Sequence, residues 1–141
     1  MKEQYLFVYG TLRERANHPM HKVIQQSCRL MGSAFFRGRL YQLERYPAAI
    51  ESDDKKDYVW GEVYQLVNPE TALPFLDSYE GCTDQDPLPH EYQRQLVDVT
   101  LYDHRRVKAW VYIYVLKTDG LHCIESGDYL KFVKAKRVAS S

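Results

Sequence analysis

Two alternating segments in the second half of the chain constrain the fold more than any other feature. From Tyr92 to Leu101, Tyr92, Arg94, Leu96 and Asp98 alternate with Gln93, Gln95, Val97 and Val99. From Val107 to Leu116, Val107, Ala109, Val111, Ile113 and Val115 fall on one face, and Trp110, Tyr112 and Tyr114 on the other. Side chains along a strand point alternately to opposite faces, so a period of two sustained this long is a strand pattern. The turn Asp103-His104-Arg105-Arg106 joins the two into a β-hairpin.

Other short runs read the same way. Tyr5 to Tyr9 is apolar, aromatic and closed by Gly10, as expected of a buried strand. Further extended pieces are predicted over Ala34–Leu43, with Gly32 and Gly38 as punctuation, over Tyr46–Ile50 and over Tyr58–Leu66. The charged run Glu51 to Asp57 is a solvated turn. Asn17-His18-Pro19 resembles a helix start, with a short helix following from Met20 to about Cys28.

A second helix precedes the hairpin. Starting it at Asn68-Pro69 would bury Pro74 within the helix, where its ring meets the carbonyl four residues earlier. Capping by Thr71 instead places Pro74 in the first turn, and that start is preferred. Leu73, Leu76 and Tyr79 then share a face, and Gly81 supplies a left-handed residue that ends the helix at Glu80. Residues 83–91, with Pro87 and Pro89, form a loop, and a short segment around Asp128-Tyr129-Leu130 closes the chain. Strands dominate and two or three helices accompany them. The expected fold is α+β, a small curved or barrel-like mixed sheet.

Composition narrows the function. The 141 residues fit one domain, 1–141, able to bury a core, and 45% hydrophobic residues argue against disorder. Lys plus Arg and Asp plus Glu are both 19, so no net field draws in nucleic acid or an anionic membrane. No run approaches the ~20 apolar residues of a membrane-spanning helix. Cys28, Cys82 and Cys123 are odd in number and form no CxxC pair, which favours a reduced, cytoplasmic protein. The expected partner is a small molecule or another copy of the chain, and the oligomeric state is left open.

Two places could carry chemistry. Glu80 stands at a helix C-terminus, near the negative pole of the helix dipole. Partial burial there would favour its neutral form and raise its pKa into the range of a base near neutral pH. The ordinary alternative is a surface glutamate. Tyr9-Gly10-Thr11-Leu12 leaves a strand through a glycine, exposing backbone N–H groups and a hydroxyl that can hold a carboxylate or an oxyanion. An ordinary strand-to-loop turn would look the same, and neither GxxxxGK[ST] nor GxGxxG occurs. His18, His21, His90, His104 and His122 show no metal-ligand spacing, so no metal is expected. Cys82 with His90 or His122 would make a thiol hydrolase, but no local signature supports that pairing.

Taken together, these blocks resemble a known family. Tyr9-Gly10-Thr11-Leu12-Arg13 is similar to the opening signature of the γ-glutamylcyclotransferase-like (AIG2-like) proteins. Gly38-Arg39-Leu40-Tyr41 with Tyr46-Pro47-Ala48, then Gly61-Glu62-Val63-Tyr64, resemble the next blocks. Leu76-Asp77-Ser78-Tyr79-Glu80-Gly81 resembles the helix end carrying the family's catalytic glutamate, and Tyr92-Gln93-Arg94 follows in place. Trp110 to Tyr114 and Glu125 to Tyr129 resemble the closing blocks, with Tyr129 where tryptophan is usual. The YGTLR opening is closer to the branch of γ-glutamylamine cyclotransferases and uncharacterised bacterial proteins than to the YGSN-type branch.

The resemblance implies a small mixed β-barrel with flanking helices and a cofactor-free cyclisation. A γ-glutamyl amine or amino acid would yield 5-oxoproline and a free amine. It implies Glu80 as general acid/base, with Tyr9, Gly10, Thr11, Leu12 and Tyr92 binding the substrate. Two other readings compete: a catalytically silent module that keeps the pocket for a γ-glutamyl or amino-acid-like ligand, and related chemistry on a larger γ-glutamylated substrate.

Overall fold

The computed structural model describes residues 3–10, 20–44 and 46–140. Its elements in order are β1 (Tyr5–Val8), α1 (Met20–Ser27), β2 (Cys28–Gln42), β3 (Pro47–Glu51), β4 (Tyr58–Leu66), α2 (Pro69–Tyr79), β5 (Tyr92–Leu101), β6 (Arg106–Tyr114), β7 (His122–Cys123) and α3 (Tyr129–Ser140). The sheet runs β3-β2-β4-β1-β6-β5, and β2 pairs again with β5 through Ala34↔Leu101 and Phe35↔Thr100. That second pairing closes β2, β4, β1, β6 and β5 into a five-stranded barrel. Among the described residues only β1 and β6 run parallel, with Tyr5 opposite Ala109, and the other pairings are antiparallel. The barrel expected from the sequence is therefore present, as a mixed one.

Alternation divides the barrel wall between two cores. Phe7, Phe36, Val63, Val99 and Val111 point inward into one cluster. Their neighbours Leu6, Val8, Tyr64, Tyr112 and Tyr114 point outward into a second, covered by Ile24 of α1 and by Ala72, Leu73 and Leu76 of α2. The hairpin strand β6 is thus buried on both faces, which explains its nearly continuous apolar and aromatic sequence. Gly61 lies where β4 crosses the end of β1. A Cβ there would sit 2.1 Å from the Val8 carbonyl oxygen and 2.7 Å from the Phe7 ring.

Several sequence expectations need correction. The long strand β2 begins at Cys28, straight after α1, rather than at Ala34. Gly32 does not separate elements but lies inside the strand, where the pairing with β4 shifts register after Leu30. Helix α2 starts at Pro69, not after Thr71, and Pro74 is inside it. The carbonyl that Pro74 leaves without a donor belongs to exposed Glu70, which water can serve, and burial of Ala72, Leu73 and Leu76 outweighs the loss. Of the expected apolar face, Leu73 and Leu76 are buried, but Tyr79 is 42% exposed. The closing segment is a full helix, α3. The proposed start of α1 at 17–19 lies outside the described residues. No helix among the described residues is long and apolar enough to cross a membrane.

Gly61→Ala should destabilise the fold by about 1–3 kcal/mol or more, because the added methyl meets backbone rather than a mobile side chain. Urea unfolding would read this as a lower midpoint at unchanged slope.

Candidate active site

Helix α2 ends in a defined stop. The Cys82 N–H donates to the Asp77 carbonyl at 3.0 Å and the Gly81 N–H to that of Ser78 at 3.2 Å. Gly81 adopts φ +71°, so the arrangement is a Schellman cap. Glu80 is the cap residue itself, still helical at φ −82°, ψ −3°, with its N–H bonded to the Leu76 carbonyl. Leu76 is 1% exposed, so the helix end that carries Glu80 is seated in the outer core.

The Glu80 carboxyl faces tyrosines. Tyr9 from the end of β1, Tyr92 from β5, Tyr112 from β6 and Tyr46 from the segment before β3 all stand within electrostatic reach of it. Among the described residues, no cation or hydrogen-bond donor contacts the carboxylate. Burial consequently dominates and pushes its pKa up to about 7. The negative end of α2 acts in the same direction. A carboxyl half-ionised near neutral pH can both take and return a proton.

The surrounding hydroxyls are fixed. Tyr9, 7% exposed, donates to the Tyr112 carbonyl at 2.5 Å, and Tyr92, 5% exposed, donates to the Pro47 carbonyl at 2.6 Å. Desolvation raises both phenols far above their ordinary range, so they remain neutral. Pro47 also meets the other arm of the site, since a Cβ on Gly10 would lie 2.9 Å from its Cγ. The end of β1, the start of β3 and the start of β5 therefore converge on one proline. At the rim, the Tyr46 hydroxyl donates to Glu91 at 2.7 Å, and this bond, ahead of burial, pushes its pKa up to about 12.

Four of the six residues selected from the sequence, Tyr9, Gly10, Glu80 and Tyr92, thus come together. Thr11 and Leu12 lie outside the described residues. Tyr46, Asp77 and Arg94 were missed as parts of the site, although all three sit inside the blocks that carry the resemblance. The thiol alternative loses ground. Burial pushes the Cys82 thiol up to about 11, and its Sγ donates to the Asp77 carbonyl at 3.6 Å. His90 contacts the Asp86 carbonyl and His122 packs against Phe132, so neither serves the thiol. Among the described residues, no three His, Cys, Asp or Glu side chains are grouped to hold a metal ion. A separate groove of about 710 Å³ opens where β2 and β5 part beyond Phe35 and Thr100, and it shares no lining residue with the Glu80 cluster.

Known proteins show what the chain as a whole is similar to. The profile of the family described as gamma-glutamyl cyclotransferase, AIG2-like, matches residues 6–131. The gamma-glutamylcyclotransferase family protein YtfP of Escherichia coli K12 is 35% identical over 127 residues, covering 89% of this chain and 95% of that protein. The gamma-glutamylaminecyclotransferase of Bos taurus is 36% identical over 106 residues, or 68% of this chain, and the match spans 56% of the bovine protein's length. The solution structure of ytfP from Escherichia coli superposes with a TM-score of 0.61 at 31% identity, over 92% of this chain and 99% of that one. With a profile match over most of its length and a relative covered almost end to end, the chain belongs to the AIG2-like gamma-glutamyl cyclotransferase family of cyclotransferase-like enzymes.

Proposed function

We propose that this protein cyclises a γ-glutamyl amine or γ-glutamyl amino acid to 5-oxoproline, releasing the free amine, with Glu80 as the general acid/base. The observation that carries the reading is the desolvated Glu80 carboxyl, poised near pH 7 beside the end of β1. The substrate's α-ammonium gives a proton to Glu80. The freed amine attacks the γ-carbonyl carbon, forming the ring C–N bond. The bond from that carbon to the leaving nitrogen then breaks as Glu80 returns the proton to it, and the second proton of the attacking nitrogen passes through the freed Glu80 carboxylate to the departing amine, which leaves as an ammonium. The nucleophile belongs to the substrate, so no serine or thiol is required, and positioning supplies much of the rate. Backbone groups of Gly10, Thr11 and Leu12 hold the α-carboxylate or the γ-carbonyl oxygen. Tyr9 and Tyr92, their hydroxyls already committed to backbone carbonyls, shape the walls.

The test is 5-oxoproline release from a panel of γ-glutamyl amines, γ-glutamyl dipeptides and glutathione. One substrate class should turn over, and Glu80→Gln should lower that rate by about 10²-fold or more. Turnover that survives the substitution would overturn the mechanism. Ligand-induced melting shifts without product would point to a silent binding module instead.

Two pH dependences follow from the raised pKa. Activity limited by ionised Glu80 should fall about ten-fold per unit as pH drops below about 7. Stability moves the other way. The folded state holds the Glu80 proton up to about pH 7, whereas an unfolded glutamate releases it near 4.5, so this group's contribution is lost as pH rises across that window. Glu80→Gln should therefore be more stable than the parent at pH 8, by about 1–3 kcal/mol, and equal to it near pH 4. Chemical denaturation at the two pH values would show it.

A further inference from the structure

Three residues before Glu80, Asp77 makes a set of contacts that the proposed chemistry does not use. Arg94 of β5 grips its carboxylate with a fork, Nε donating to Oδ1 at 2.7 Å and Nη2 to Oδ2 at 3.1 Å. The Tyr112 hydroxyl of β6 donates to the same Oδ1 at 2.8 Å. Arg94 in turn lies over Trp110 of β6, its guanidinium carbon 4.3 Å from the ring centroid. Trp110 donates from Nε1 to Gln4 Oε1 at 2.9 Å, just ahead of β1. The Asp77 carbonyl takes the capping N–H of Cys82, so the same residue closes the helix and ties it to the barrel wall.

We propose that Asp77 and Arg94 are the positioning pair of the site, pinning the last turn of α2 to the β5–β6 hairpin and fixing where the Glu80 carboxyl stands. This rests on the reading of Glu80 as the base. The pair is partly open to solvent, with side chains 19% and 23% exposed, so its contribution to stability is small. Its value is geometric and electrostatic. A fork restrains both the direction and the rotation of the helix end, which a single-point contact does not. Residues three apart on a helix are surface neighbours. Removing one member of the pair leaves the other's charge uncompensated at the helix end, one turn from Glu80. Among the described residues, the remaining titratable groups facing Glu80 are the neutral phenols Tyr9, Tyr46, Tyr92 and Tyr112 and the Cys82 thiol. Glu91 stands one hydrogen bond further out, on Tyr46.

The test uses Asp77→Asn, Arg94→Met and their double variant. Each is checked for folding and read by carbon-13 NMR titration of the Glu80 side chain and by steady-state kinetics on the best γ-glutamyl substrate. Arg94→Met should move the Glu80 titration to higher pH, because Asp77 is left bare. Asp77→Asn should move it to lower pH, because the guanidinium loses its partner. The double variant should bring it back toward the parent value. Each single variant should lower kcat about ten-fold or more, with KM changed less than about two-fold. Arg94→Lys, which keeps the charge without the fork, should hold the titration in place yet still lose part of kcat. Tyr112→Phe, which leaves the fork intact, should do least. Folded variants that leave both the Glu80 titration and kcat unmoved would overturn the proposal, as would losses that track melting temperature alone. If the parent protein releases no 5-oxoproline, the functional reading fails, while the titrations still decide whether the pair governs Glu80.

Discussion

The architecture depends on closing a sheet with one long strand. β2 spans fifteen residues and pairs with β4 along most of its length, with β3 and β7 at its far end and with β5 in between. Its contact with β5 is brief, yet it turns an open sheet into a barrel and removes the exposed edges that a five-stranded ribbon would offer. Once the ring is closed, every residue on β1, β4 and β6 has a committed side. Inward positions must fill a narrow barrel, and outward positions must find helices to cover them. The register shift after Leu30 lets so long a strand bend around that ring.

Glu80 owes its environment to this division. The outer cluster carries α1 and α2 on the barrel wall, and the end of α2 reaches the place where β1, β3 and β5 meet around Pro47. The carboxyl is flanked by tyrosines whose hydroxyls already donate elsewhere. Among the described residues no donor contacts it, and burial makes it basic. A site assembled with spare donors around the same glutamate would have held its pKa at or below the ordinary carboxylate range. The inner core fixes the wall, the outer core fixes the helix, and the tension between burial and charge is left at their junction.

Much of this was legible in the sequence, because period-two alternation is independent of partners. The β5–β6 hairpin, β1 and β4 could be read directly, and Gly81 announced the end of α2. What could not be read depended on solvent or on distant neighbours. The start at Pro69 required knowing that Glu70 faces water, so that Pro74 leaves no buried carbonyl orphaned. The continuity of β2 through Gly32 required knowing that the strand bulges against β4. Tyr46, Asp77 and Arg94 passed as extended, helical and strand residues of ordinary type. Only the folded chain sets Asp77 beside Arg94, seventeen positions on, and Tyr46 beside Glu91, forty-five positions on.

The parallel pairing of β1 with β6 carries a kinetic consequence. Tyr5 lies against Ala109 and, on its other side, against Gln65, so neither neighbour of this strand is local in the chain. During synthesis β1 emerges early and stays without its second partner until the hairpin has been made. Loop-closure entropy must be met before these contacts give any return, which places the molecule among slowly folding topologies. The β5–β6 hairpin, with its short turn, can form first and serve as the template on which β1 docks. The strand that carries Tyr9 and Gly10 at its end is then among the last to be locked, and a nascent chain short of residue 109 cannot bring these residues to their places in the barrel.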